Sequence, residues 1–282
     1  MDFISALMNP DIAFLRYALI AGVLASFSLG VIGTFVVARR ISYIAGAISH
    51  TVLGGIGIAL YLQKGLGWEW FHPMYGAVLS ALLSAGLIGW VSLHAKERED
   101  TVIGALWAVG MAVGILFIAK TPGYVDPMSF LFGNILLIGQ TDLYLIALMD
   151  IVVVGCAVYF YNYLLAVSFD DEFAKLRGVK VEWVFLLLLM LTALTVVLLV
   201  RVVGIVMVIA LLTLPAAVAG QFSRKLWQMM IGAVIASLLF VVSGLGISYS
   251  LDLPTGPVII MIAGVVYFIS VITKRKSGKR GN

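Results

Sequence analysis

A histidine sits near the middle of a 22-residue run without formal charge, ISYIAGAISHTVLGGIGIALYL (41–62). On a helix, positions 43, 46, 47, 50, 53, 54 and 57 fall on or near one face. They are Tyr43, Gly46, Ala47, His50, Leu53, Gly54 and Gly57, so a mostly small face carries one imidazole. Neutral imidazole ligates divalent metals, and ionisable groups at membrane depth usually face a bundle interior or a cavity. A small face also lets helices approach closely. On the residues alone His50 has two readings: a ligand on a path, or a structural histidine bonded to a neighbouring helix. Asp150, about two turns into a later apolar run, has two as well: part of a polar path, or a carboxylate with a structural partner.

A second constellation is SFDDEFAKLRGVKV (168–181), polar between two apolar runs. It predicts a short helix. Asp170 is placed to cap the N-terminus, with Asp171 and Glu172 in the first turn. Lys175 and Arg177 follow in the last turn, and Gly178 in the left-handed position beyond it. Phe173 and Leu176, three apart around Ala174, make a small apolar ridge on this loop. It is either a solvated loop helix or a docking element. The run RVVGIVMVIALLTLPAAVAG (201–220) contains Gly204 and Pro215, marking either a break beside a transport path or an ordinary kink. There is no phosphate-binding GxxxxGK[ST] loop, no HExxH and no GxSxG, so an enzyme has no footing here.

The elements that must position these residues are set by composition. The chain of 282 residues is 62% hydrophobic and 11% charged, against about 25% charged in soluble domains. Its mean hydropathy is +1.12. Long continuous apolar runs predict an all-α polytopic membrane protein, and the lack of period-2 alternation argues against strands. Nine spans are expected, near 13–37, 41–62, 74–94, 102–119, 142–167, 183–200, 203–222, 227–247 and 255–273. A turn near Arg201 separates the sixth and seventh; merging them would leave eight.

Charge placement orients the spans. Fourteen of the 18 basic residues fall on one side, including Arg39, Arg40, Lys175, Arg177, Arg224, Lys225 and the KRKSGKR tail. The positive-inside rule puts that side, with the C-terminus, in the cytoplasm. The net charge of +4 is thereby accounted for by orientation, and no nucleic-acid partner is expected. The opposite side is rich in Gly, Pro and aromatics, with Trp68, Trp70 and Tyr124 suited to an interfacial belt. FLFGNILLIGQ (130–140) is too short to span and is expected to be re-entrant or interfacial. The single cysteine, Cys156, rules out an intrachain disulfide. The first apolar run is too long for a cleaved signal peptide, so Met1 is expected in the mature protein.

Four segments in order, with a fifth before the last span, resemble the membrane permease of the zinc/manganese/iron class of ATP-binding-cassette importers. They are SYIAGAISHTVLGG (42–55), FLFGNIL (130–136), SFDDEFAKLRGV (168–179), VGIVMVIALLTLPAAVAG (203–220) and LDLPTGP (251–257). The fold is also similar, more distantly, to the vitamin B12 and siderophore permeases. The resemblance implies a single transmembrane permease domain over 1–282, in a bacterial cytoplasmic membrane. It implies a homodimer around a central path, two separate ATPase subunits and an extracytoplasmic metal-binding protein. The loop at 168–182 would be the coupling helix. No cofactor is permanently bound; the cargo is a divalent transition metal. The family has an aspartate where this chain has Gly46, and often a proline where it has Gly54. His50 alone then carries over as a ligand, one from each subunit, making a weak, transient stop from which an ion can leave. Without the acid the ligand set is softer, which tilts the expected cargo from manganese toward zinc. The alternatives are a permease for a metal chelate and a secondary, ion-coupled transporter.

Overall fold

A computed structural model describes residues 3–8, 13–94, 99–123, 125–133 and 138–278. Tyr124 and the last two residues of the KRKSGKR tail, named above, lie outside the described residues, as do Lys96 and Arg98, two more of the fourteen basic residues, and 134–137 of the 130–140 segment. Among the described residues there is no strand. The helices are α1 (Phe3–Met8), α2 (Ala13–Arg39), α3 (Ser42–Gly65), α4 (Pro73–His94), α5 (Glu99–Lys120), α6 (Met128–Phe132) and α7 (Gln140–Tyr159). They continue as α8 (Tyr161–Phe169), α9 (Asp171–Leu176), α10 (Val181–Val203), α11 (Val208–Phe222), α12 (Leu226–Leu251) and α13 (Thr255–Gly278). Nine helical segments in this set are long and apolar enough to cross a bilayer. At 1.5 Å per residue a run of about 20 residues matches the hydrocarbon thickness.

The helix that carries His50 is the most enclosed of the nine, while α5 and α7 are the least. Its glycines explain how it is enclosed. A Cβ on Gly54 would lie 2.9 Å from the Gly110 carbonyl oxygen, and one on Gly57 2.5 Å from that of Gly114. On another side, a Cβ on Gly55 would overlap the Gly76 carbonyl of α4. Backbone thus meets backbone on both flanks of α3, and the small face serves close approach. Thr51 reinforces the α5 seam by donating from Oγ1 to the Leu106 carbonyl at 3.2 Å.

Two boundaries differ from the sequence reading. The fifth span is not one helix over 142–167 but α7 and α8, joined at Phe160 (φ −94°, ψ 15°). No Gly or Pro announces this join. It goes with aromatic packing: the Phe160 ring meets Tyr159 edge-on at 4.7 Å and Trp183 at 5.2 Å. The turn between the sixth and seventh spans lies at Gly204 rather than around Arg201, followed by a 3-10 turn over Ile205–Met207. Gly204 has φ +87° and ψ 162°, a conformation open essentially to glycine alone. A Cβ there would overlap the backbone at Gly133, which itself has φ +68°. The described part of the 130–140 segment is thus α6 and a glycine turn seated on Gly204. Gly204→Ala is expected to cost on the order of 3 kcal/mol or more. It should lower the melting temperature in detergent by roughly 10 °C, whereas Gly104→Ala, with open space around it, should not. A Gly204→Ala protein melting like the parent would refute the constraint.

Candidate functional site

His50 projects from the buried face of α3 and is 7% exposed. Its ring stacks on Trp107 of α5 with centroids 4.3 Å apart and planes 19° from parallel. Nδ1 lies 3.0 Å from the Met111 sulfur. A thioether has no proton to give, so the contact fits Nδ1–H donating to sulfur. The lone pair is then left on Nε2, as in histidines that hold a metal while a second partner fixes the tautomer. Trp107 and Met111 are four apart on α5 and so share a face. The sequence reading missed both; an aromatic and a sulfur at helical spacing, opposite a histidine, were the available signal.

Gly46 lies one turn before His50 under the same indole. A Cβ there would be 2.5 Å from Ile209 Cδ1 and 2.8 Å from Trp107 Cζ3. The space that an aspartate would use is filled by these two apolar groups. Among the described residues no three His, Cys, Asp or Glu side chains gather in one place.

The other candidates fall elsewhere. Asp150 is 6% exposed at the α2–α7 contact. It accepts from the Ser28 amide at 3.1 Å and from the Ser28 hydroxyl. It therefore has a partner on α2, whereas the contacts of His50 are on α5. Pro215 is buried inside α11, which runs through it to Phe222; the interruption is at Gly204. Gly54 is part of the α3–α5 seam.

The polar loop folds as its residue order predicts. Asp170 Oδ1 accepts from the Phe173 amide at 2.9 Å, and Gly178 has φ +78°. After it, the Val179 amide returns to the Ala174 carbonyl at 3.1 Å, closing the helix end. The short helix α9 has two faces. Phe173 and Leu176, 52% and 87% exposed, point away from the protein, while Ala174 is fully buried. The Arg177 guanidinium lies 5.1 Å from the Phe173 ring centre. Asp171 turns inward onto Arg39, which donates to Oδ1 at 2.8 Å and Oδ2 at 2.9 Å.

The model of the ABC 3 transport family matches residues 11–274. The chain belongs to the ABC 3 transport family. It is 41% identical over 253 residues to a probable metal transport system membrane protein of Chlamydia pneumoniae, covering 89% of this chain and 86% of that one. It is 32% identical over 278 residues to the manganese transport system membrane protein MntC of Listeria monocytogenes, covering 99% and 96%. Among solved structures, PsaBC from Streptococcus pneumoniae in complex with Fab superposes with a TM-score of 0.84 at 30% identity, over 95% of this chain and 94% of that one. The helical, multi-pass architecture is that of an ABC permease, a transport component rather than an enzyme.

Proposed function

We propose that the protein is the transmembrane subunit of an ATP-driven importer for a divalent transition metal ion. Two copies would enclose the path, two separate ATPase subunits would dock beneath α9, and an extracytoplasmic binding protein would deliver the ion. The observation that carries this reading is His50: a buried imidazole, held by Trp107 and Met111, on the most enclosed helix of a family permease. The names of the relatives, one a metal and one a manganese transport protein, support a metal as cargo. The orientation, with the C-terminus in the cytoplasm, rests on the charge asymmetry. The contact of Arg39 with Asp171 is consistent with it, since it places the basic end of α2 beside the loop helix that also carries Lys175.

Imidazole nitrogen beside a thioether is a softer setting than a carboxylate, and it favours zinc over manganese. A second reading, with manganese as the cargo, is supported by the relative named for manganese transport. The test is uptake by the whole complex, with ATPase and binding protein, in proteoliposomes. ATP-dependent accumulation of zinc, inhibited only weakly by manganese, is expected. Uptake without ATP, or of a chelate but no free ion, would overturn the proposal.

A further inference from the structure

Arg39 is the last residue of α2, and its guanidinium is the meeting point of three later elements. Besides its fork onto the Asp171 carboxylate of α9, it donates to the Val167 carbonyl of α8. It also lies 4.7 Å from the centre of the Phe185 ring of α10. The arginine side chain is 16% exposed and the aspartate 43%. Around this pair is a polar recess of about 720 Å³ between α9 and the bundle, bordered also by Arg40, Glu99 and Glu182. Apart from Ala174, the residues of α9 itself are not buried.

The next residue, Arg40, has φ +61°, uncommon for a side chain of its size. Its amide bonds to the Val37 carbonyl at 3.2 Å and that of Ile41 to the Val36 carbonyl at 3.1 Å. This pair of bonds ends α2 with a left-handed residue, and α3 begins at Ser42. Two residues, left-handed Arg40 and the N-cap Ile41, therefore separate the Arg39 fork from the helix that carries His50, about 12 Å further along its axis.

We infer that Arg39 and Asp171 form the link through which movement of α9 is passed to α3. The inference rests on α9 being the ATPase-docking helix. It makes α9 a two-sided part: Phe173 and Leu176 face the partner, while Asp171 transmits. Arg39 and Asp171 are positioning residues, acting on His50 through the joint at Arg40.

The test uses the complete complex in proteoliposomes, with zinc and manganese as probes. Asp171→Asn keeps the shape and removes the charge. It is expected to lower metal uptake per ATP hydrolysed about tenfold, with the ATPase still co-purifying. The double variant Arg39→Asp, Asp171→Arg should recover a large part of that ratio. A metal-independent readout is maleimide labelling of Tyr43→Cys, at the start of α3, in a Cys156→Ser background. Its ATP-dependent change should vanish with Asp171→Asn. An unchanged uptake ratio and unchanged labelling would overturn the inference. So would loss of the ATPase from Asp171→Asn, or a folded swap variant without recovery. Should Asp171→Asn not fold, Arg39→Lys, which keeps the charge but not the fork, is measured instead; full coupling there overturns it equally. Failure of both metals to enter with the parent complex would sink the cargo assignment and leave the labelling result standing.

Discussion

Replacing Phe173 and Leu176 together with aspartate is expected to strip the ATPase from the permease and to lower ATP-driven uptake about a hundredfold or more. Both side chains face outward, and at 87% exposure Leu176 has almost no contact within its own chain. An apolar pair this bare, on a capped polar loop, offers a surface for a docking partner to cover. Burying two carboxylates in such a contact costs several kcal/mol, which is enough to dissolve it. The helix itself should survive, because the Asp170 cap, the Gly178 turn and the buried Ala174 are untouched. Co-purification of the ATPase from membranes measures the docking, and uptake measures its consequence. Normal amounts of bound ATPase with normal uptake would refute the docking role of α9.

The second large effect is expected at His50. His50→Ala should reduce metal uptake on the order of tenfold to a hundredfold while the complex stays assembled. Trp107 lies on the face of the imidazole and Met111 at Nδ1, and among the described residues no group of three His, Cys, Asp or Glu is gathered there. Removing it leaves indole, thioether and Ile209, none of which replaces an imidazole ligand for a hard or borderline divalent ion. His50→Asn provides a polar control of smaller size. Uptake measured across metal concentrations decides the matter, since a lost stepping stone lowers the maximal rate even at saturating metal. Equal uptake by His50→Ala and the parent would show that the imidazole is structural.

Much of the architecture was legible because it depends on local rules. Apolar run length and the side of each basic residue are enough for nine spans. The helix over 171–176 follows from Asp170 at one end and Gly178 at the other, since caps bond within four residues. What was not legible depends on partners far along the chain. Arg39 reads as an orienting charge until the fold brings Asp171, 132 positions away, against it. Likewise His50 has a recognisable position but not its neighbours, because Trp107 and Met111 come from the helix after next. The join at Phe160 has no breaker residue, only rings that find each other in three dimensions. Gly204 was visible as a glycine, but its strained dihedrals matter because Gly133 packs onto it.

The glycine seam along α3 has a further consequence, for how this chain can vary. Gly54, Gly55 and Gly57 meet Gly110, Gly76 and Gly114 with main chain against main chain, so a single methyl group at any of the six forces two helices apart. In this chain the centre therefore has no room for a side chain at these positions, while the outer sides of α5 and α7, the least enclosed of the spans, have no such constraint. Changes around His50 are thus confined to the side chains that lean over the seam, Trp107, Met111 and Ile209, because the track beneath them has no room to change.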